Sequence, residues 1–211
     1  MNYLVTGTDT GVGKTFVTCG LIRAARAFGK HCVGMKPFCT GDAEDAEKIV
    51  AANEFLVPQH RVNPIRFRAP LAPYAAALVE NRIIDIQGAK AAYYALAKDF
   101  EGVLVEGAGG LLVPILDRYD FRDLATEWKL GIILVIANKL GALNHALLTV
   151  EAIRIRGIPL KAVILNQMEE SESLAQQTNP GVLAHLLPIP PICLAYGHAD
   201  FKEVLRALDW V

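Results

Sequence analysis

Three short runs, GVLVE (102–106), GIILVIA (131–137) and LKAVIL (160–165), are apolar on consecutive positions rather than on every second one. A strand with one face in water alternates apolar and polar side chains, so continuous runs of this length suit central parallel strands covered on both faces. Helical stretches at about 121–129, 144–156, 180–187 and 199–209 lie between and after them. Strands that alternate with helices need right-handed crossovers, which implies an α/β fold with a doubly wound, mostly parallel sheet. Ligands of such sheets sit beyond the carboxyl ends of the strands. The 211 residues, 53% of them hydrophobic, suit a single domain spanning 1–211.

The N-terminal third repeats the pattern and adds chemistry. Residues 2–6 read as a strand, 7–15 as a loop, and 15–28 as a helix stopped by Gly29. The loop belongs to LVTGTDTGVGKTFVT (4–18). Successive backbone N–H groups, a helix N-terminus behind them, a lysine and a hydroxyl are what a nucleotide triphosphate with Mg²⁺ requires. Gly13, Lys14 and Thr15 supply the end of that pattern, preceded by Gly11 and Val12 and followed by Phe16, while Thr8 stands at the usual first glycine. This is a variant phosphate-binding loop, and it makes the expected fold P-loop NTPase-like. It is specific for nucleotide phosphate but not for a reaction type.

VLVEGAGG (103–110) delivers Glu106 at a strand end, where P-loop proteins place the carboxylate that holds Mg²⁺ directly or through water. HCVGMKPF (31–38) reads as a strand ending at Lys36, followed by Asp42, Glu44 and Asp45 on an amphipathic helix over 42–54. Two readings compete there: Lys36 neutralises an anionic reactant while one carboxylate shares the metal, or the acids merely complement a helix N-terminus. A proline-rich stretch, 62–73, breaks the pattern before a long helical region ending near Lys98. In NKLGALNHALLTVEAI (138–153), Asn144 is a candidate N-cap after a Gly141-containing turn, either an anion-binding helix start or an ordinary capped helix.

Composition narrows the partners. A formal net charge of −1 provides no broad basic field for nucleic acid or an anionic membrane. No apolar run approaches the length of a spanning helix. Cys19, Cys32, Cys39 and Cys193 form neither a CxxC pair nor a closely spaced framework, which reads as reduced thiols and a cytoplasmic protein.

TGTDTGVGKT (6–15), KPFCT (36–40), VEGAGG (105–110) and KLGALNHALLT (139–149) occur in this order. Together they resemble the dethiobiotin synthetase family, over residues 3 to about 166. P-loop relatives that partition DNA are the alternative class, but they carry a signature lysine where this chain has Asp9. The resemblance implies an ATP- and Mg²⁺-dependent cyclo-ligase that converts 7,8-diaminononanoate and CO₂ into dethiobiotin, ADP and phosphate. It implies Lys14 on the transferring phosphoryl group, Thr15, Asp45 and Glu106 on Mg²⁺, with Asp42 competing with Asp45, and Thr10, Lys36 and Thr40 around a carbamate. It also implies a homodimer in which Gly141, Ala142, Leu143 and Asn144 of one subunit meet the substrate carboxylate held by the other. Asn166 matches the residue that reads the adenine edge. Gly11 replaces a glutamate found in some members, and LPIPPICLAYGH (187–198) lacks the family's Gly-Glu pair.

Overall fold

The computed structural model describes residues 2–170, 173–197 and 200–211. Along the chain run β1 (Tyr3–Gly7), α1 (Lys14–Ala27), β2 (Cys32–Met35), β3 (Phe38–Thr40), α2 (Glu44–Ala52), α3 (Gln59–Val62), β4 (Ile65–Phe67), α4 (Pro73–Val79) and α5 (Ile86–Asp99). There follow β5 (Gly102–Gly110), β6 (Pro114–Leu116), β7 (Tyr119–Asp120), α6 (Phe121–Glu127), β8 (Gly131–Ala137), α7 (Ala142–Ile155), β9 (Leu160–Asn166), α8 (Leu174–Leu186), β10 (Ile192–Leu194) and α9 (Lys202–Ala207).

Six strands form one sheet in the order β10-β9-β8-β1-β5-β2, every pairing parallel. All residues of β1 and β8 are buried, as unbroken apolar runs require. Each fully buried Val, Leu or Ile stabilises the fold by about 1.5–3 kcal/mol in transfer terms. The chain winds from β1 to β2, returns to β5 beside β1, then crosses to β8 on the other side of β1. The switch point is therefore at β1, and the loop after it opens there. β5 bulges against β1: Val5 pairs with Glu106, but Gly7 pairs with Gly110. The extra residues re-aim the carboxyl end of β5 and carry the strand through the glycine run, beyond the expected stop at 106.

Other expected elements also need correction. His31 to Phe38 is not one strand. Pro37 has no N–H to give a ladder, so β2 stops at Met35, the Lys36 N–H donates to the Val62 carbonyl at 2.8 Å, and Phe38 begins β3, which pairs with β4. The long helix towards Lys98 is two helices, separated where Asn81 takes φ 50° and Asp85 caps α5 by accepting from the Gly88 N–H. α8 starts well before Pro180, at Leu174, because Ser173 and Gln176 form a capping box. The N-cap of α7 is Gly141, with φ 88°, and Asn144 lies inside the first turn, which no side chain caps. The last helix, expected over 199–209, runs Lys202–Ala207; Ala199 lies outside the described residues.

Candidate active site

The loop between β1 and α1 is built on glycine. Gly13 is the N-cap of α1 at φ 94°, and a Cβ there would stand 2.2 Å from Asn166 Nδ2. Any other residue is strained by the backbone and also blocked by Asn166. Lys14 is buried and folds back so that its Nζ donates to the Asp9 carbonyl at 2.9 Å. Burial, opposed chiefly by the charge of Glu106, lowers its pKa from 10.5 to about 8.

Beside the loop, elements distant in sequence converge on one carboxylate. Glu106, at the bulge of β5, is fully buried. Its Oε1 accepts from Thr15 Oγ1 of α1 at 2.8 Å and from Lys36 Nζ at 2.6 Å. Lys36, just past β2, donates also to Asp45 Oδ2 of α2 at 2.8 Å. Its side chain is only 5% exposed, and burial alone would lower its pKa, but the charges of Glu106 and Asp45 hold it above the ordinary lysine value. Burial likewise pushes the Asp45 carboxyl up, yet the charge and hydrogen bond of Lys36 leave it below its usual range. Asp42 stands apart from this set: its Oδ1 accepts from the Glu44 N–H and its carbonyl from Cys39 Sγ. The geometry joins Asp45, not Asp42, to Lys36 and through it to Glu106.

The second oxygen of that carboxylate, Glu106 Oε2, is buried and has no hydrogen-bond partner. An anionic oxygen left so is costly unless a cation or donor completes it. Among the described residues no group of three or more His, Cys, Asp or Glu is arranged to hold a metal ion. The donor set is instead two carboxylates and a hydroxyl, which suits Mg²⁺ completed by phosphate oxygens and water.

Thr15, Lys36 and Asp45 line a cleft of about 840 Å³, whereas Glu106, fully buried, does not border it and meets it through Thr15 and Lys36. Thr10, Gly11, Gly13, Lys14, Thr15, Phe16, Lys36, Thr40 and Asp45 all border it. Val12 does not: its side chain is buried beneath the loop and its carbonyl accepts from Asn166 Nδ2 at 3.1 Å. Nor does Asn166, buried at the end of β9, line it; its Nδ2 also donates to Sδ of Met168, which does. Gly141 to Asn144 lie outside it, at the start of α7. Sequence reasoning missed the opposite wall, Pro70 to Pro73. The signal was the proline-rich stretch, which read only as a break.

Curated relatives match this chain over nearly all of its length. The ATP-dependent dethiobiotin synthetase BioD of Anaeromyxobacter dehalogenans (strain 2CP-C) is 42% identical over 98% of this chain and 95% of its own. The protein of the same name from Akkermansia muciniphila is 40% identical over 96% and 95%. The chain belongs to the dethiobiotin synthetase family. The BioD of Aquifex aeolicus is 37% identical over 90% of this chain and 87% of its own. Residues 1–194 also match the AAA domain family model. Among solved structures, the cell division protein FtsY of Thermotoga maritima superposes with a TM-score of 0.59 at 19% identity, covering 99% of this chain and 68% of that one. The septum site-determining protein MinD of Pyrococcus horikoshii, complexed with Mg-ADP, gives 0.56 at 14% identity, covering 100% and 87%. At such identities the likeness is one of fold, and it bears out the doubly wound P-loop architecture.

Proposed function

We propose that this chain is an ATP-dependent dethiobiotin synthetase, closing 7,8-diaminononanoate and CO₂ into dethiobiotin with formation of ADP and phosphate, a step of biotin biosynthesis. The observation that carries the reading is the Lys36 ammonium held between Glu106 and Asp45 across from the P-loop lysine, in one cleft. Carbamate chemistry asks for both cations. One amine of the diamine takes up CO₂ and loses a proton to give a carbamate, whose oxygen is a poor leaving group until phosphorylated. Lys36, kept charged by its two carboxylates, offsets the carbamate's negative charge, with Thr10 and Thr40 lining the same cleft. Lys14 and the backbone N–H groups of Gly11 to Phe16 receive the triphosphate, and Lys14 stabilises the phosphoryl group as it moves to the carbamate oxygen. The second amine then attacks the carbonyl carbon and expels phosphate. Because this closure is intramolecular, holding the diamine folded supplies much of its acceleration.

Thr15, Asp45 and Glu106 are the residues that would hold Mg²⁺, supported by the unpartnered Oε2 of Glu106. Bound there, the ion neutralises charge on the phosphate oxygens. Asn166 would read the base. Its Nδ2 is engaged by the Val12 carbonyl, which leaves Oδ1 to accept from an exocyclic amine such as that of adenine. The homodimer accounts for Gly141 to Asn144 lying outside their own cleft: the uncapped first turn of α7 would receive the substrate carboxylate in the partner subunit's cleft. Exposed Leu148 and Ile155 on α7 supply apolar surface for such an interface. The setting that fits is the cytoplasm, where ATP is made and buried thiols such as Cys19, Cys32 and Cys39 stay reduced.

The test is phosphate release from MgATP with 7,8-diaminononanoate and bicarbonate each present or omitted, with mass detection of dethiobiotin. Release that requires both substrates, with product formed, is the expected result. Release indifferent to both overturns the reading and turns the search towards a macromolecular partner of the partitioning type, a class that Asp9 and the curated relatives do not favour.

A further inference from the structure

We infer that Asn138 and Asn179 are positioning residues which hold the first turn of α7 in register with the Asn166 end of β9; this rests on the proposed function. The Asn138 N–H donates to the Asn166 carbonyl at 2.9 Å, joining the carboxyl ends of β8 and β9. Its side-chain Nδ2 donates to Gln167 Oε1 and to the Gln176 carbonyl, both at 2.9 Å. Its Oδ1 accepts from Asn179 Nδ2 at 2.9 Å, and the same Nδ2 donates to the Lys139 carbonyl at 3.1 Å. That carbonyl also accepts the Ala142 N–H at 3.1 Å, which closes the turn from which α7 starts. One buried carboxamide thus ties together the end of β9, the middle of α8 and, through Asn179, the turn at α7.

Pro180 explains why the tie is available. In a helix the carbonyl of Gln176 would accept the N–H of residue 180, and proline has none. The carbonyl left over points to Asn138. A fully satisfied amide network in a dry setting admits one geometry, whereas apolar packing alone tolerates sliding. No side chain caps α7, so the orientation of its first-turn N–H groups depends on the Lys139 to Ala142 turn. Under the proposed function those groups meet the diamine's carboxylate, while Asn166 meets the nucleotide.

The experiment compares wild type with Asn179→Ala, Asn138→Ala and Pro180→Ala in the phosphate-release assay, with dethiobiotin detected and thermal melts recorded alongside. Asn179→Ala should raise KM for 7,8-diaminononanoate about tenfold and leave KM for ATP within about twofold. Asn138→Ala, which also frees the Gln167 side of β9, should raise both. Pro180→Ala removes no side-chain bond in the network and improves helix propensity, but its restored N–H competes for the Gln176 carbonyl. It should raise the diamine KM about threefold with an unchanged or higher melting temperature, an outcome that a purely structural role would not give. Folded, active variants whose diamine KM equals that of wild type overturn the positioning role. Should either asparagine variant fail to fold, Pro180→Ala alone decides the matter by the same comparison. A wild type that forms no dethiobiotin overturns the functional reading before any variant is compared, and this inference with it.

Discussion

Replacing Lys36 by methionine keeps an unbranched side chain of similar length but removes the cation between Glu106 and Asp45. The two halves of the cost differ. Asp45 is 45% exposed at its side chain, so water replaces the ammonium and that half contributes less than about 1 kcal/mol. Glu106 is fully buried, and removing the partner of such a charge costs about 3–5 kcal/mol. The penalty is therefore about 3–5 kcal/mol. A domain of this size loses roughly 2–4 °C per kcal/mol, giving a fall of about 6–20 °C in Tm.

The pH dependence carries the sharper test. In wild type the Lys36 to Asp45 contact persists at pH 5, because Asp45 is held below its ordinary range and its contribution is lost only at still lower pH. That contribution is absent from the methionine variant at every pH, so acidification below the Asp45 range should narrow the Tm gap and never widen it. Calorimetric melts measure it. A Tm within about 2 °C of wild type at pH 7 would refute the assignment of Lys36 and Glu106 as a buried charge pair. In the same variant ATP affinity should stay within a few-fold while dethiobiotin formation falls by at least about 10²-fold, the usual cost of losing a preorganised charge at the reacting group. Unchanged turnover removes Lys36 from the mechanism.

Three further outcomes follow from the same geometry. Glu106→Gln keeps the shape and removes the anion, so the Mg²⁺ concentration for half-maximal activity should rise at least about tenfold; an unchanged Mg²⁺ titration would take Glu106 off the metal. Lys14 is neutralised as pH passes about 8 in the free protein, and only its charged form attracts phosphate, so KM for ATP should climb above that pH and stay flat below it. A flat profile to pH 9.5 would contradict this. Leu148 and Ile155 are 63% and 68% exposed and seven residues apart on one face of α7. Leu148→Glu should therefore give a monomer by sedimentation with ATP binding intact and dethiobiotin synthesis lost, while an active monomer would exclude the shared site.

How much of this was legible follows from the range of the interactions. The runs of β5, β8 and β9 were readable because burial on both faces writes itself into consecutive residues, and the P-loop because strand, glycines and Lys-Thr are contiguous. Lys36, Glu106 and Asp45 could be nominated separately, but their meeting depends on a bulge in β5 and on Pro37 turning the chain out of the sheet. Nothing local distinguishes Asp45 from Asp42; only the register of α2 against β2 does. The α7 start was misplaced by three residues because asparagine is a strong N-cap in isolation, whereas Gly141 already occupies the left-handed position that ends the turn.

Pro180 is the instructive failure. As a local signal, proline marks the first turn of a helix, and the expected helix over 180–187 begins on it. The capping box at Ser173 and Gln176 overrides that preference, because satisfying two orphan N–H groups at the true start offsets part of the cost of an interior proline. The rest is recovered at a distance: the carbonyl that proline leaves free is the one that Asn138 uses. A residue that weakens its own helix thus supplies an acceptor to the strand end beside it. Local propensity and tertiary demand therefore disagree at Pro180, and the disagreement lies beside the turn from which the proposed substrate-binding helix starts.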